Sequence, residues 1–255
     1  MKFLAGLTLT VSMFLAPFSA SAEELTFALE DADSFPWQMS EGNGVDTFLI
    51  ERAAENLGHT VSFVRLPWKR CLERMKNNKA DGCFSASYKA ERGEFGVYPT
   101  LDGQPNAESR LHSAGYSLYV AMGSNVDWNG SEFLNLDGQI GSVAGYSIVE
   151  QLKEAGAQVT EAGNLDQLFK MLNAGRLSAV ASLTAQADRV LAQSPNLQDS
   201  IRKVDIPLAE KGYYLMFSHG RFNEDPELVK AFYNEIAKVR ESQEYADYYT
   251  NILQN

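Results

Sequence analysis

The chain has 255 residues, of which 45% are hydrophobic and 11% aromatic, enough for one large or two small cores and too apolar for a disordered chain. Its 33 acidic and 22 basic residues give a formal net charge of −11, which argues against nucleic acid as a partner. The acidic balance keeps an exported protein in solution and does not select a ligand.

In chain order, Met1-Lys2 precedes an apolar run from Phe3 to Phe18, and Ala20-Ser21-Ala22 supplies the small residues of a signal-peptidase site. The run is about 16 residues long and contains Pro17, whereas roughly 20 residues are needed to span a bilayer. Residues 1–22 are therefore expected to be a signal peptide cleaved after Ala22, delivering the protein to the periplasm. No cysteine stands at the cleavage point, so a lipid anchor is not indicated. Loss of Lys2 leaves the mature chain at −12.

Strand and helix signals then alternate without a low-complexity linker or an internal repeat. Leu25–Leu29 reads as a strand, Asp46–Leu57 as a helix stopped by Gly58, Thr60–Val64 as a strand, 67–76 as a helix and 80–86 as a buried strand. This βαβαβ order builds a parallel sheet. A second α/β set follows: strands beginning at Tyr116–Met122, at Ile140–Val143 and at Ala179–Ser182, with helices at Ser147–Ala155, Leu165–Leu172 and Thr184–Ala192. A strand at Gly212–Ser218 and helices at Pro226–Val239 and Gln243–Ile252 close the chain. Two α/β units of about 100 residues each imply a two-lobed molecule with a crevice between the lobes.

Cys71 and Cys83 are the two cysteines. In an oxidising compartment they are expected to form a disulfide worth roughly 3 kcal/mol, with a buried unpaired Cys83 as the alternative. A metal site is not indicated, since there is no Cys-x-x-Cys and His59, His112 and His219 lack ligand spacing.

The stretch PWKRCLERMKNNKADGCFSASYKAERGEF, residues 67–95, places an arginine beyond a strand's carboxyl end, where open α/β sheets bind ligands. It resembles the first-lobe signature of the family 3 extracellular solute-binding proteins, the receptors of ABC importers for amino acids and similar solutes. The resemblance extends over residues 23–255. It implies an α/β, type II periplasmic binding fold of two parallel or mixed sheets flanked by helices and joined by a two-strand hinge. Lobe 1 would comprise residues 23–114 and 214–255, and lobe 2 residues 115–213.

Residue by residue, the resemblance makes Arg92 the group that grips a ligand carboxylate through its planar fork. Ser85 and Ser87 supply contacts just before it, with a spacing to Arg92 about one residue shorter than the family's. Trp68, Phe35 and Trp37 match aromatics that cover the ligand, and Asp31 matches a position that contacts its polar groups. Glu30 and Asp33 are read as solvated loop charges. In lobe 2, Gly145, Tyr146 and Ser147 match a turn whose backbone N–H groups face an anion, although Tyr146 stands where a small hydroxyl is usual.

Two departures bear on the ligand. The run Gly175–Leu183 resembles one that ends in an aspartate holding an α-ammonium, and here that position is Leu183. In Gly44-Val45-Asp46-Thr47-Phe48 the second acid of the family pattern is missing, while Asp46 remains and can cap the helix that follows. The expected function is capture of a small polar, carboxylate-bearing ligand for an ABC transporter permease, by a monomer needing no cofactor, metal or catalytic residue. Two alternatives are a periplasmic dehydratase on the same scaffold, disfavoured by the absence of a histidine from the expected crevice, and a ligand sensor for a receptor kinase.

Overall fold

The computed structural model describes residues 22–40 and 44–254. The expected signal peptide lies, apart from Ala22, outside them. The chain begins with β1 (Glu24–Glu30), α1 (Val45–Asn56), β2 (Thr60–Leu66), α2 (Trp68–Lys76) and β3 (Gly82–Ser87). It continues through β4 (His112–Ala121), β5 (Ile140–Val143), α3 (Ile148–Glu154), β6 (Val159–Ala162), α4 (Leu165–Asn173), β7 (Ala179–Leu183) and α5 (Thr184–Ala192). It ends with β8 (Ala209–Ser218), α6 (Pro226–Arg240) and α7 (Gln243–Gln254).

Periodicity explains these elements. In β1 side chains alternate between faces: Leu25, Phe27 and Leu29 enter one core while Ala28 enters another, so the strand is buried on both sides. In α4, Leu165, Leu168, Phe169 and Leu172 recur at helical spacing and are all buried. In α2, Cys71 and Met75 lie one turn apart on the buried face.

The strands follow the order β6-β5-β7-β4-β8-β3-β1-β2. β1 runs parallel to β2 and β3, and β5 runs parallel to β6 and β7, as the two α/β units require. The halves are joined into one continuous mixed sheet by two long antiparallel strands. β4 pairs with β8 from His112 to Tyr116, then with β7 from Tyr116 onward, while β8 passes on to pair with β3. The hydrogen-bonded ladder changes partner at Tyr116 and at Tyr213, which marks the waist of the molecule.

A core of Phe27, Phe217 and Phe232, in edge-to-face contacts at 5.4–5.9 Å, fastens α6 to the first half of the sheet. The chain therefore returns to its starting lobe after visiting the second. No helix among the described residues is long and apolar enough to cross a membrane.

The expected disulfide is not formed. Both thiols are buried and free. Cys71 Sγ donates to the carbonyls of Leu29 and Leu66, at 3.0 and 3.2 Å, because α2 turns that side chain toward the ends of β1 and β2. Cys83 Sγ lies 3.6 Å from Met75 Sδ, one turn further along the helix. The two side chains meet different neighbours, and burial in apolar surroundings raises both thiols, Cys83 to about 12.

Candidate functional site

At the waist the two halves enclose a narrow cleft lined by Glu30, Trp68, Ser85, Ser87 and Arg92 from one side and Tyr146, Ser147 and Leu183 from the other. His112, Tyr116 and Tyr213, from the two long strands, line it as well. Its free volume is about 30 Å³, room for a water molecule or two.

Arg92 is positioned by a short 3-10 turn, Ala90–Glu94, directly after β3. Although charged it is only 3% exposed, so its guanidinium must find partners. Nη1 donates to the Ser87 carbonyl at 2.7 Å, and Nη2 crosses the cleft to the Gly145 carbonyl at 3.0 Å. Its carbon Cζ lies 5.2 Å from the Trp68 ring centroid, a cation–π contact. Trp68 Nε1 donates to the same Gly145 carbonyl at 3.2 Å. Gly145 has φ of 80°, a conformation costly for any other residue, and this backbone turns its carbonyl toward both donors.

Other bonds bridge the two sides. Ser87 Oγ donates to Ser147 Oγ at 2.7 Å, Lys89 Nζ lies 2.7 Å from Glu150, and the Tyr146 hydroxyl donates to Glu30 at 2.7 Å. That hydroxyl also lies 3.2 Å from the side-chain amide of Gln186. Burial raises the Glu30 carboxyl to about 7, so it stays protonated far above the usual carboxylate range. Burial also lowers Lys211, whose Nζ lies 3.3 Å from Ser147 Oγ.

Beneath the cleft lies a second polar group. Asp46, fully buried on the first turn of α1, accepts from His112 Nδ1 at 2.8 Å and from the Ser85 hydroxyl. The His112 ring is stacked between Trp37, with centroids 4.0 Å apart, and Tyr213, at 4.8 Å. Ser85 reaches Asp46 because β3 bulges there: two residues intervene between Cys83 and Ala86 where one does between Tyr214 and Met216. Ser85 takes φ of 54° in that bulge. Bulges re-aim side chains in this way near binding sites.

The structure thus brings Arg92, Ser85, Ser87, Trp68, Tyr146 and Ser147 to one cleft, with Gly145 facing it through its carbonyl. Gly145 N–H is directed away, to Glu161 at 3.0 Å, rather than toward an anion. Trp37 backs the His112 ring, and Phe35 lies under Arg189 at 5.6 Å. Neither lines the cleft. Asp31 is exposed and borders a separate depression with Asp33, Asn164 and Arg189. Its neighbour Glu30, read from sequence as a solvated loop charge, is the buried cleft acid. Asp46 does not cap α1; its carboxylate serves His112 and Ser85 instead. Contrary to the sequence reading, a histidine does line the crevice. Its signal was its place at the start of the first crossing strand.

No protein-family model matches the chain, and no curated protein matches it. Solved structures do. A histidine kinase sensor domain with similarity to periplasmic binding proteins is 16% identical, with a TM-score of 0.72 over 90% of this chain and 96% of that one. An arginine transport system periplasmic binding protein from Legionella pneumophila is 15% identical, with a TM-score of 0.69 over 91% of this chain and all of that one. The GluR0 ligand-binding core from Nostoc punctiforme, solved with L-glutamate, is 16% identical, with a TM-score of 0.67 over 91% and 100%. The molecule has the two-lobed α/β fold of the periplasmic binding proteins, with an interlobe cleft at its waist.

Proposed function

We propose that the protein is a periplasmic solute-binding protein that takes a small polar, carboxylate-bearing ligand between its lobes and delivers it to an ABC transporter permease. It would act as an exported monomer without a cofactor or catalytic group. The observation that carries this reading is Arg92, a buried guanidinium at the waist whose Nη2 is held, among the described residues, by one backbone carbonyl of the opposite lobe. A carboxylate is a stronger partner for that fork than one carbonyl. Ligand-sized pockets are several hundred Å³, so the closed cleft must widen to admit one. The two long strands at the waist supply the hinge. The similarity to an arginine transport system periplasmic binding protein supports the same reading.

A thermal-shift screen of the purified protein against amino acids, polyamines and small carboxylates tests it, because a ligand that binds only the folded state raises Tm. A carboxylate hit should disappear in Arg92→Ala, with affinity falling about 100-fold or more. An unchanged affinity in that variant removes Arg92 from the site. The similarity to a kinase sensor domain favours one second reading, in which the closed lobes signal to a receptor instead of a permease.

A further inference from the structure

From the stacked ring at the hinge we infer that His112, with the Tyr213 hydroxyl, is a second anion-binding pole of the cleft, so that the ligand is a small dianion of the dicarboxylate type. The inference rests on the solute-binding reading and specifies its ligand.

Three observations carry it. First, His112 is oriented by partners on three sides. Asp46 takes Nδ1–H at 2.8 Å, and Trp37 and Tyr213 cover the two ring faces. Nε2 has no protein partner among the described residues, and His112 lines the cleft. A ring with a proton on each nitrogen, donating one N–H to Asp46, offers the other N–H to a ligand oxygen. Such a ring cannot swing away without breaking both stacks and leaving a fully buried carboxylate short of a partner.

Second, the Tyr213 hydroxyl is buried beside Tyr116 and Ser87 yet makes no hydrogen bond of good geometry. Buried hydroxyls without partners are uncommon, and each calls for an explanation. A ligand oxygen held by His112 would lie beside this hydroxyl, because Tyr213 and His112 face each other in strand register as well as through their rings. Ser87, whose carbonyl holds Arg92, is the next register neighbour of Tyr213. The two poles are thus fixed to adjacent strands of one sheet.

Third, positive charge outweighs negative around the cleft. Among the described residues that line it, Glu30 is the acid, and burial, which outweighs the opposing effect of the Tyr146 hydrogen bond, raises it to about 7. Arg92 and His112 line the same space and Lys211 approaches it at Ser147, against the one carboxylate of Asp46 held beneath the His112 ring. Leu183 offers no counter-charge to an ammonium. A cleft of this character repels an isolated cation and suits two anionic groups.

Calorimetric titration with succinate and glutarate, with butyrate, and with alanine tests the inference on the wild-type protein and on Arg92→Ala, His112→Gln and Tyr213→Phe. The dicarboxylates should bind more tightly than butyrate or alanine. His112→Gln should cost them about tenfold or more while leaving butyrate nearly unchanged, as expected for one lost charge-assisted bond. Tyr213→Phe keeps the ring stack and removes only the hydroxyl, so a smaller loss confined to the dicarboxylates should follow. A general fall in affinity for all probes would mark a merely structural role and overturn the inference. Equal binding of butyrate or alanine, lost in Arg92→Ala but not in His112→Gln, overturns the second pole and leaves the solute-binding reading standing. Failure of every probe to bind the wild type overturns both.

Discussion

Glu30 shows how burial changes what a carboxyl group does. It is 8% exposed, and among the described residues its side chain is bonded to one tyrosine hydroxyl, so the ionised form loses more hydration than it gains. Its folded value, about 7, exceeds the ordinary 4.5. Below pH 4.5 the group is neutral in both the folded and unfolded chain. Between 4.5 and 7 only the folded chain keeps the proton, so stability falls as pH rises across that window, by up to about 3 kcal/mol. Glu30→Gln should accordingly gain Tm relative to the wild type at pH 8 compared with pH 5, and an equal difference at both pH values contradicts the assignment. The thiols make a separate prediction. Denaturation without reductant should release two titratable thiols, whereas a bridged pair releases none. Arg92, Ser87 and Trp68 were legible from the order of their motif. Glu30 was not, because whether a residue at a strand end faces solvent or the opposite lobe depends on a chain segment more than a hundred residues away.

Among the elements, α6 is the one whose placement carries the architecture. Asp225 caps it by accepting from Leu228 N–H at 2.9 Å, and Pro226 sits in its first turn. Its buried face drives Phe232 between Phe27 and Phe217. Phe232→Ala should cost about 3–5 kcal/mol, through lost transfer energy and the cavity left behind, as read by denaturant unfolding. A cost below about 1 kcal/mol would mean that α6 does not anchor the first lobe. The helical period of this segment was plain in the sequence, but period says which face is apolar and not which core receives it. Strand β6 was missed for a related reason. Val159–Ala162 is only four residues with a polar middle, and it is a strand because β5 offers it a parallel edge. The bulge in β3 was also invisible, because it depends on the register of β3 against β8. Ser85 sits there in the left-handed region, at a cost of about 1–2 kcal/mol.

At the scale of the whole molecule, the waist is crossed by two hydrogen-bonded strands, and the lobes also meet through polar contacts at Gly145, Ser147, Tyr146 and Glu150 and through the apolar contacts of one buried cluster that includes Trp68, Tyr146 and Leu183. The alternation of strands and helices in the sequence was enough to indicate two α/β units. That their sheets are continuous through β4 and β8 depends on register across distant strands, which no single segment encodes. Polar contacts across a cleft exchange readily with water, whereas the packed interior of each lobe does not. The motion such a design favours is therefore a change of angle at the waist with each lobe intact. Small-angle scattering of the purified protein with and without a ligand identified by the thermal-shift screen measures this directly. The account predicts a smaller radius of gyration in the bound state, with the change lost in Arg92→Ala; an identical radius with and without a saturating ligand would contradict capture by closure of the cleft.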